Sequence, residues 1–228
     1  MHSYNQKSQS DECLICHAPL LKQISLAHLL CPLSLCQNCL SQFHVLDIQT
    51  TFHHYPLRIL YEYNEFFRTL LYQYKGLYDY ALKDAFLCTY LSKFKTQYDE
   101  YLIAVAPSSS VENEKRGFAP METIAHTFSQ HVFTGLYKKE AYKQSGLSFE
   151  ERKNVVHKIG IHHPEELQGK KVLIFDDVIT SSSTLTACLS LIKTGHPQCI
   201  ELLVLSTKSF QYKCTFLIKK CTFSSFSI

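Results

Sequence analysis

Two groups of residues in this sequence have the types and spacing to do chemistry. The first is Asp176-Asp177, followed by Thr180, Ser181, Ser182, Ser183 and Thr184. Adjacent carboxylates can accept hydrogen bonds from vicinal hydroxyls, such as those of a ribose. Small hydroxylated residues opening a helix offer side-chain donors and backbone N–H groups to a dianionic phosphate. Acids, hydroxyls and helix in that order describe a site for a ribose 5-phosphate. The alternative is that the acids cap a helix and the hydroxyls solvate a turn. Neither G-x-x-x-x-G-K-[ST] nor G-x-G-x-x-G occurs, so the usual nucleotide loops are absent. The second group is Cys13-x-x-Cys16 and Cys36-x-x-Cys39, separated by nineteen residues. Each pair suits a tight knuckle giving two thiolates to a tetrahedral zinc ion. Zinc would also explain how a segment with so little core can fold. The alternative is four ordinary buried cysteines. Cys31, His17 and His28 lie nearby and read as packing and surface residues.

The elements around the acid pair follow from pattern. Val172 to Phe175 is a short apolar run of strand character. Thr184 to Thr194 has Leu185, Cys188, Leu189 and Ile192 at helical spacing before Gly195, and Cys199 to Leu205 is a second strand. Strand, helix, strand makes a right-handed βαβ unit of a parallel sheet, with Asp176 to Thr184 at the carboxyl end where such sheets bind ligands. Upstream, Thr50 to Leu60 reads as a connector or short strands, with His53-His54 on the surface. Tyr61 to Tyr74 reads as a helix ended by Gly76. Asp79 to about Gln97 reads as a second helix carrying Leu82, Ala85, Phe86, Tyr90 and Phe94. Tyr101 to Ala106 is a buried-type strand. Pro107 to Gly117 is a polar loop, leading into a helix with Met121, Ile124, Ala125 and Phe128 on one side.

Cations concentrate in two places. Lys115 and Arg116 fall in the polar loop, where they can bind diphosphate oxygens or a nucleic-acid backbone, or simply be solvated. Lys138, Lys139 and Lys143 interleave with Tyr137 and Tyr142, the mixture that phosphate contact plus stacking requires, although flexible loops share it. Ser148-Phe149-Glu150-Glu151 is a capping box opening a short helix with Arg152 and Lys153.

With 228 residues and 46% apolar content, the chain is long enough for one medium domain, or a small module joined to a larger one. A net charge of +3 permits nucleic-acid binding without arguing for it. Five of the ten cysteines lie between Cys13 and Cys39. Met1 to Glu12 is polar, with no apolar core region of a secretion signal, and no apolar run approaches the length of a membrane span. The expectation is a cytoplasmic protein with reduced thiols, which favours metal over disulfides.

Val172-Leu173-Ile174-Phe175-Asp176-Asp177-Val178-Ile179-Thr180-Ser181-Ser182-Ser183-Thr184-Leu185 resembles the phosphoribosyl pyrophosphate (PRPP) loop of type I phosphoribosyltransferases. With the paired cysteines, the chain resembles the ComF/ComFC late-competence family over roughly residues 10 to 206. Supporting stretches are Tyr74-Lys75-Gly76, Arg116-Gly117-Phe118, Gln144 with Leu147, and Glu151 to Val155. The resemblance implies an α/β fold: a type I phosphoribosyltransferase-like parallel sheet flanked by helices, with a small N-terminal four-cysteine zinc module. The expected division is 1–48 for the module, 49–206 for the transferase-like domain and 207–228 for a tail of unknown role. It further implies structural Zn2+, PRPP with Mg2+, and a role in DNA uptake during natural transformation. Single-stranded DNA would be a partner, together with other DNA-uptake proteins such as a competence helicase. An active phosphoribosyltransferase, or a PRPP-sensing regulator without a direct DNA role, is the alternative. Three departures stand out. The family usually has glycine at Ser182, purine-type enzymes often have an acid at Thr180, and Arg116-Gly117-Phe118 continues as Ala119-Pro120 rather than Asn-Gln. Threonine cannot accept a proton from a purine, so purine salvage is disfavoured.

Overall fold

A computed structural model of the chain describes residues 12–20, 34–139, 159–180 and 182–208. Its centre is a six-stranded sheet in the order β1-β2-β8-β7-β3-β4. The strands are β1 (Val45–Phe52), β2 (Tyr55–Glu62), β3 (Tyr101–Val105), β4 (Val132–Phe133), β7 (Lys171–Ile179) and β8 (Cys199–Thr207). Within this sheet the β1–β2 pair is antiparallel, whereas β2–β8, β8–β7, β7–β3 and β3–β4 are all parallel. A separate antiparallel pair is formed by β5 (Leu136–Lys138) and β6 (Ile159–Ile161). The helices are α1 (Gln37–Leu40), α2 (Glu65–Gly76), α3 (Leu91–Gln97), α4 (Ser110–Arg116), α5 (Pro120–Ala125) and α6 (Ser183–Lys193). This is the α/β phosphoribosyltransferase-like architecture that the sequence implied. No helix among the described residues is long and apolar enough to cross a membrane.

Strand periodicity divides the core. Val172 and Ile174 of β7, with Leu202 and Val204 of β8, face α6 and Leu167. Leu173 and Phe175, with Leu203 and Leu205, face the opposite layer of α2 and α5. A parallel sheet covered on both faces needs such continuous apolar strands. The α2 layer is largely aromatic: Phe67, Tyr74, Phe86 and Phe94 are at most 1% exposed, and Phe67 and Phe86 meet edge to face at 5.8 Å. The cysteine segment joins this same cluster through Cys13, Leu35, Cys39 and Phe43, whose ring lies 5.0 Å from Tyr61.

The βαβ unit around the acid pair forms as the pattern predicts, with β7 and β8 each extending further at the carboxyl end. Upstream, one segment takes the strand alternative of its expectation and three differ. The stretch from Thr50 to Leu60 belongs to a full hairpin. His53 and His54, at φ 47° and 71°, form its two-residue turn, since two left-handed positions match the twist of the flanking strands. Pro56 is tolerated in β2 because pairing with β8 begins only at Leu57.

Helix α2 begins after Asn64, whose side chain accepts the Phe67 N–H at 2.8 Å, while Tyr61 belongs to β2. The expected helix over 79–97 is interrupted: a 3-10 helix spans Tyr80–Asp84, and α3 starts at Leu91. Its apolar residues are buried as expected, but the buried Tyr61 hydroxyl donates to the Phe86 carbonyl at 3.0 Å. Tyr90 N–H bonds the Leu87 carbonyl at 2.8 Å, a tight turn in place of the α-helical bond to Phe86. Finally, the polar stretch before Gly117 contains α4. Glu112 lies in its first turn, Lys115 and Arg116 in its last, and Gly117 closes it at φ 80°.

Candidate functional site

Strand β7 outlasts its neighbour. Pairing with β3 ends at Val105–Phe175, whereas pairing with β8 continues to Ile179 and Thr207. After Ala106 takes the Phe175 carbonyl at 2.8 Å, the chain leaves β7 for α4. Asp176 and Asp177 therefore stand where the sheet opens, at the carboxyl end of β7. Asp176 is buried, with 7% exposure, and its Oδ1 accepts the Asp177 N–H at 2.9 Å. The Asp177 side chain is 20% exposed and forms an ion pair with the Lys75 Nζ of α2.

These surroundings drive the two acids apart. Burial raises the Asp176 carboxyl well above the ordinary range, and the charge and hydrogen bond of Asp177 push the same way. Burial also opposes ionisation of Asp177, but the Lys75 charge and hydrogen bond outweigh it, so its carboxyl lies below the ordinary range. Ionisation is thus disfavoured at Asp176 and favoured at Asp177. Asp177 can accept a ligand hydroxyl, and Asp176 can donate one hydrogen bond whenever it carries its proton.

Beyond the acids, Thr180 is exposed and Ser182, Ser183 and Thr184 open α6. Ser182 adopts φ 61°, a left-handed backbone that favours glycine, and its carbonyl accepts the Thr186 N–H at 2.9 Å. This gives a physical reason for the glycine expected at that position. Ser181 lies outside the described residues.

The expected cations occupy separate surroundings. Lys115 is exposed and pairs with Glu112 at 3.2 Å. Arg116 is turned inward: Nε donates to the Lys75 carbonyl at 2.7 Å, and the guanidinium lies 5.8 Å from the Tyr78 ring and 5.9 Å from Phe118. Lys138 ends β5, half-buried, and its charge reaches the Cys188 thiol on α6; Lys139 beside it is exposed. Lys143, Arg152 and the capping box that opens at Ser148 lie outside the described residues. The cation that touches the acid pair is Lys75, for which sequence reasoning gave no role. Its signal was the Tyr74-Lys75-Gly76 stretch, which supported the family resemblance without a role for the lysine, in the last turn of a helix.

The four-cysteine group is a second centre. The Sγ atoms of Cys13, Cys16, Cys36 and Cys39 all lie within 4.8 Å of one another, with Cys16 and Cys36 3.5 Å apart. Zn–S bonds of about 2.3 Å in a tetrahedron put sulfurs roughly 3.8 Å apart, so the arrangement fits one ion. Burial alone would raise the Cys13 thiol, but N–H groups of Cys16, Cys36 and Ile15 bring it down to about 6. Burial and the neighbouring thiols push Cys39 far up. Four soft donors at this separation suit a structural zinc, whose charge would remove the repulsion between thiolates. Cys31 and His28 lie outside the described residues.

Residues 114–227 match the phosphoribosyl transferase domain family, and the chain belongs to that family. A comparison with curated proteins found no match. Among solved structures, the allosteric regulatory enzyme of purine biosynthesis is 17% identical at a TM-score of 0.34, over 55% of this chain and 26% of that one. A hypoxanthine phosphoribosyltransferase from Staphylococcus aureus is 14% identical at a TM-score of 0.35, over 60% of this chain and 69% of that one. The hypoxanthine phosphoribosyl transferase of Trypanosoma cruzi is 13% identical at a TM-score of 0.36, over 59% and 69%. The chain thus spans about a quarter of the first of these proteins and just over two thirds of the other two.

Proposed function

We propose that the Asp176–Thr184 loop binds PRPP and that the chain is a ComF/ComFC-type competence protein, acting on single-stranded DNA during natural transformation. In this reading Asp176 and Asp177 hold the ribose hydroxyls. Ser181, Ser182, Ser183 and Thr184 surround the 5-phosphate at the start of α6, and Thr180 borders the site. Lys115, Arg116, Lys138, Lys139, Lys143 and Arg152 supply diphosphate or nucleic-acid contacts. The ionised oxygens of Asp177 suit a hard cation, and magnesium would screen the charge of the diphosphate. The zinc module over 1–48, the transferase-like domain over 49–206 and the tail over 207–228 complete the proposed organisation.

The observation that carries the ligand is the acid pair at the open end of β7, where β3 no longer pairs with it, followed a few residues on by the start of α6. Support for the competence role comes from the four-thiol cluster combined with the phosphoribosyl transferase domain.

Calorimetric titration with PRPP and magnesium tests the ligand. Binding is expected, and Asp176→Asn with Asp177→Asn should abolish it; no binding to the unaltered chain would overturn the proposal. For DNA, affinity for a single-stranded oligonucleotide should fall with salt and weaken in Lys138→Ala with Lys139→Ala. An affinity indifferent to both would remove the nucleic-acid surface assigned here.

A further inference from the structure

Lys75 is supplied by α2, outside the 114–227 match, yet it reaches Asp177 across 102 residues of chain. The contact is fixed from behind. Arg116 Nε holds the Lys75 carbonyl at 2.7 Å, and the fully buried Tyr74 hydroxyl donates to the Pro120 carbonyl at 2.8 Å. The last turn of α2 also favours a cation. The side chains of Lys75 and Asp177 are 27% and 20% exposed, so the pair lies at the rim of the crevice. A single ion pair that solvent still reaches contributes little to stability, so stability alone is a weak reason for building it.

Its position relative to a ligand is more telling. A ribose hydroxyl bonded to Asp177 would stand beside the ammonium. The 2-hydroxyl and the group at C1 are carried by adjacent carbons, so that group falls within the sweep of a flexible lysine with three donors. We infer that Lys75 is a ligand-contacting, specificity-determining residue of this site, selecting a phosphoribose with an anionic group at C1 over one with a free hydroxyl there. The inference rests on the phosphoribose reading above. In the empty site the ammonium balances Asp177. In the filled site it keeps that contact and also donates to an anionic oxygen at C1.

The test is calorimetric titration of the full chain with PRPP and, separately, ribose 5-phosphate at one magnesium concentration. Lys75→Met should weaken PRPP by about tenfold or more, the value of a charge-assisted contact. Ribose 5-phosphate should change by less than about threefold, and Lys75→Arg should keep most of the preference for PRPP. Equal weakening of both ligands would reduce Lys75 to a prop for Asp177 and overturn the inference, as would no weakening of either. Failure of the unaltered chain to bind either ligand would instead overturn the phosphoribose reading itself, and this inference with it. Thermal unfolding of each variant checks that the fold is intact. If Lys75→Met does not fold, Lys75→Gln takes its place.

Discussion

Replacing Asp176 by asparagine should make the protein more stable than the natural chain as pH rises. The sign follows from the direction of its shift. Asp176 has a folded-state pKa raised above its unfolded value, so its contribution to stability is complete below the unfolded pKa, near 3.8, and is lost as pH rises through the folded one. Asp177, shifted downward, behaves oppositely: its contribution is complete above that same unfolded value and is lost only as pH falls below it, so it adds no slope in this window. At the acid end the two proteins should differ by about 1 kcal/mol or less. The asparagine side chain keeps the oxygen that accepts the Asp177 N–H at 2.9 Å and retains a donor toward the Asp177 carboxylate. From there the gap should widen in favour of the variant by up to about 1.4 kcal/mol per pH unit until Asp176 ionises in the folded chain. Urea unfolding followed by tyrosine fluorescence is practicable, because the chain has 14 tyrosines and no tryptophan. Taking the difference between variant and natural chain cancels the titration of the cysteines and histidines common to both. A difference that stays flat between about pH 4 and pH 7.5 would refute the reasoning: Asp176 would then ionise normally.

Other expectations are more local. Purified protein should contain about one equivalent of zinc, and Cys39→Ser, which removes a buried ligand, should lower both metal content and unfolding temperature; unchanged metal in that variant would argue against four-thiolate ligation. Arg58→Ala should cost about 1.5–3 kcal/mol in urea unfolding, because Arg58 is 6% exposed and makes two bonds to Asp47 at 2.6 and 2.8 Å, while the Asp47 left behind is still reached by solvent. Arg58→Lys should recover only part of that, since an ammonium cannot reproduce the forked contact or the stacking over Phe94 at 5.2 Å. Tyr74→Phe should cost about 1–2 kcal/mol by removing the buried hydroxyl that bonds the Pro120 carbonyl and Thr123; a loss below about 0.3 kcal/mol would mean that this hydroxyl contributes nothing to anchoring α2.

The half of the chain around β7, α6 and β8 was legible because apolar runs, punctuation and helical spacing all agree there. Elsewhere local signals were misleading for identifiable reasons. The hairpin turn uses His53 and His54, where asparagine or glycine would have announced it. Helix α4 buries none of its residues, so periodicity could not distinguish it from a loop. At the break before α3 the Phe86 carbonyl is taken by the Tyr61 hydroxyl of another strand, a contact that local sequence does not announce. The acid pair and paired cysteines were visible because their partners are close in sequence or in a known spacing. Lys75 was named only within the Tyr74-Lys75-Gly76 stretch of the family resemblance, and its contact with Asp177 could not be read there because only folding brings the two together. The left-handed backbone of Ser182 likewise required coordinates to explain why glycine would suit that position.

The place of β2 in the sheet has a consequence for the order in which the chain can assemble. Its hairpin partner β1 is available at once, but its other neighbour is β8, and Leu57 meets Leu202 only after some 145 further residues have been made. At a synthesis rate of about 5–20 residues per second, that edge waits on the order of 10–30 s. During that interval Leu57 and Ile59, buried in the finished sheet, have no β8 to pack beside. The nascent hairpin is therefore an open strand edge that pairs readily with another chain. The neighbouring aromatic layer and the four-thiol segment can form earlier from nearby sequence. Closing this edge is left to β8, the last strand among the described residues, so any truncation before β8 should yield an aggregating chain rather than a smaller working one.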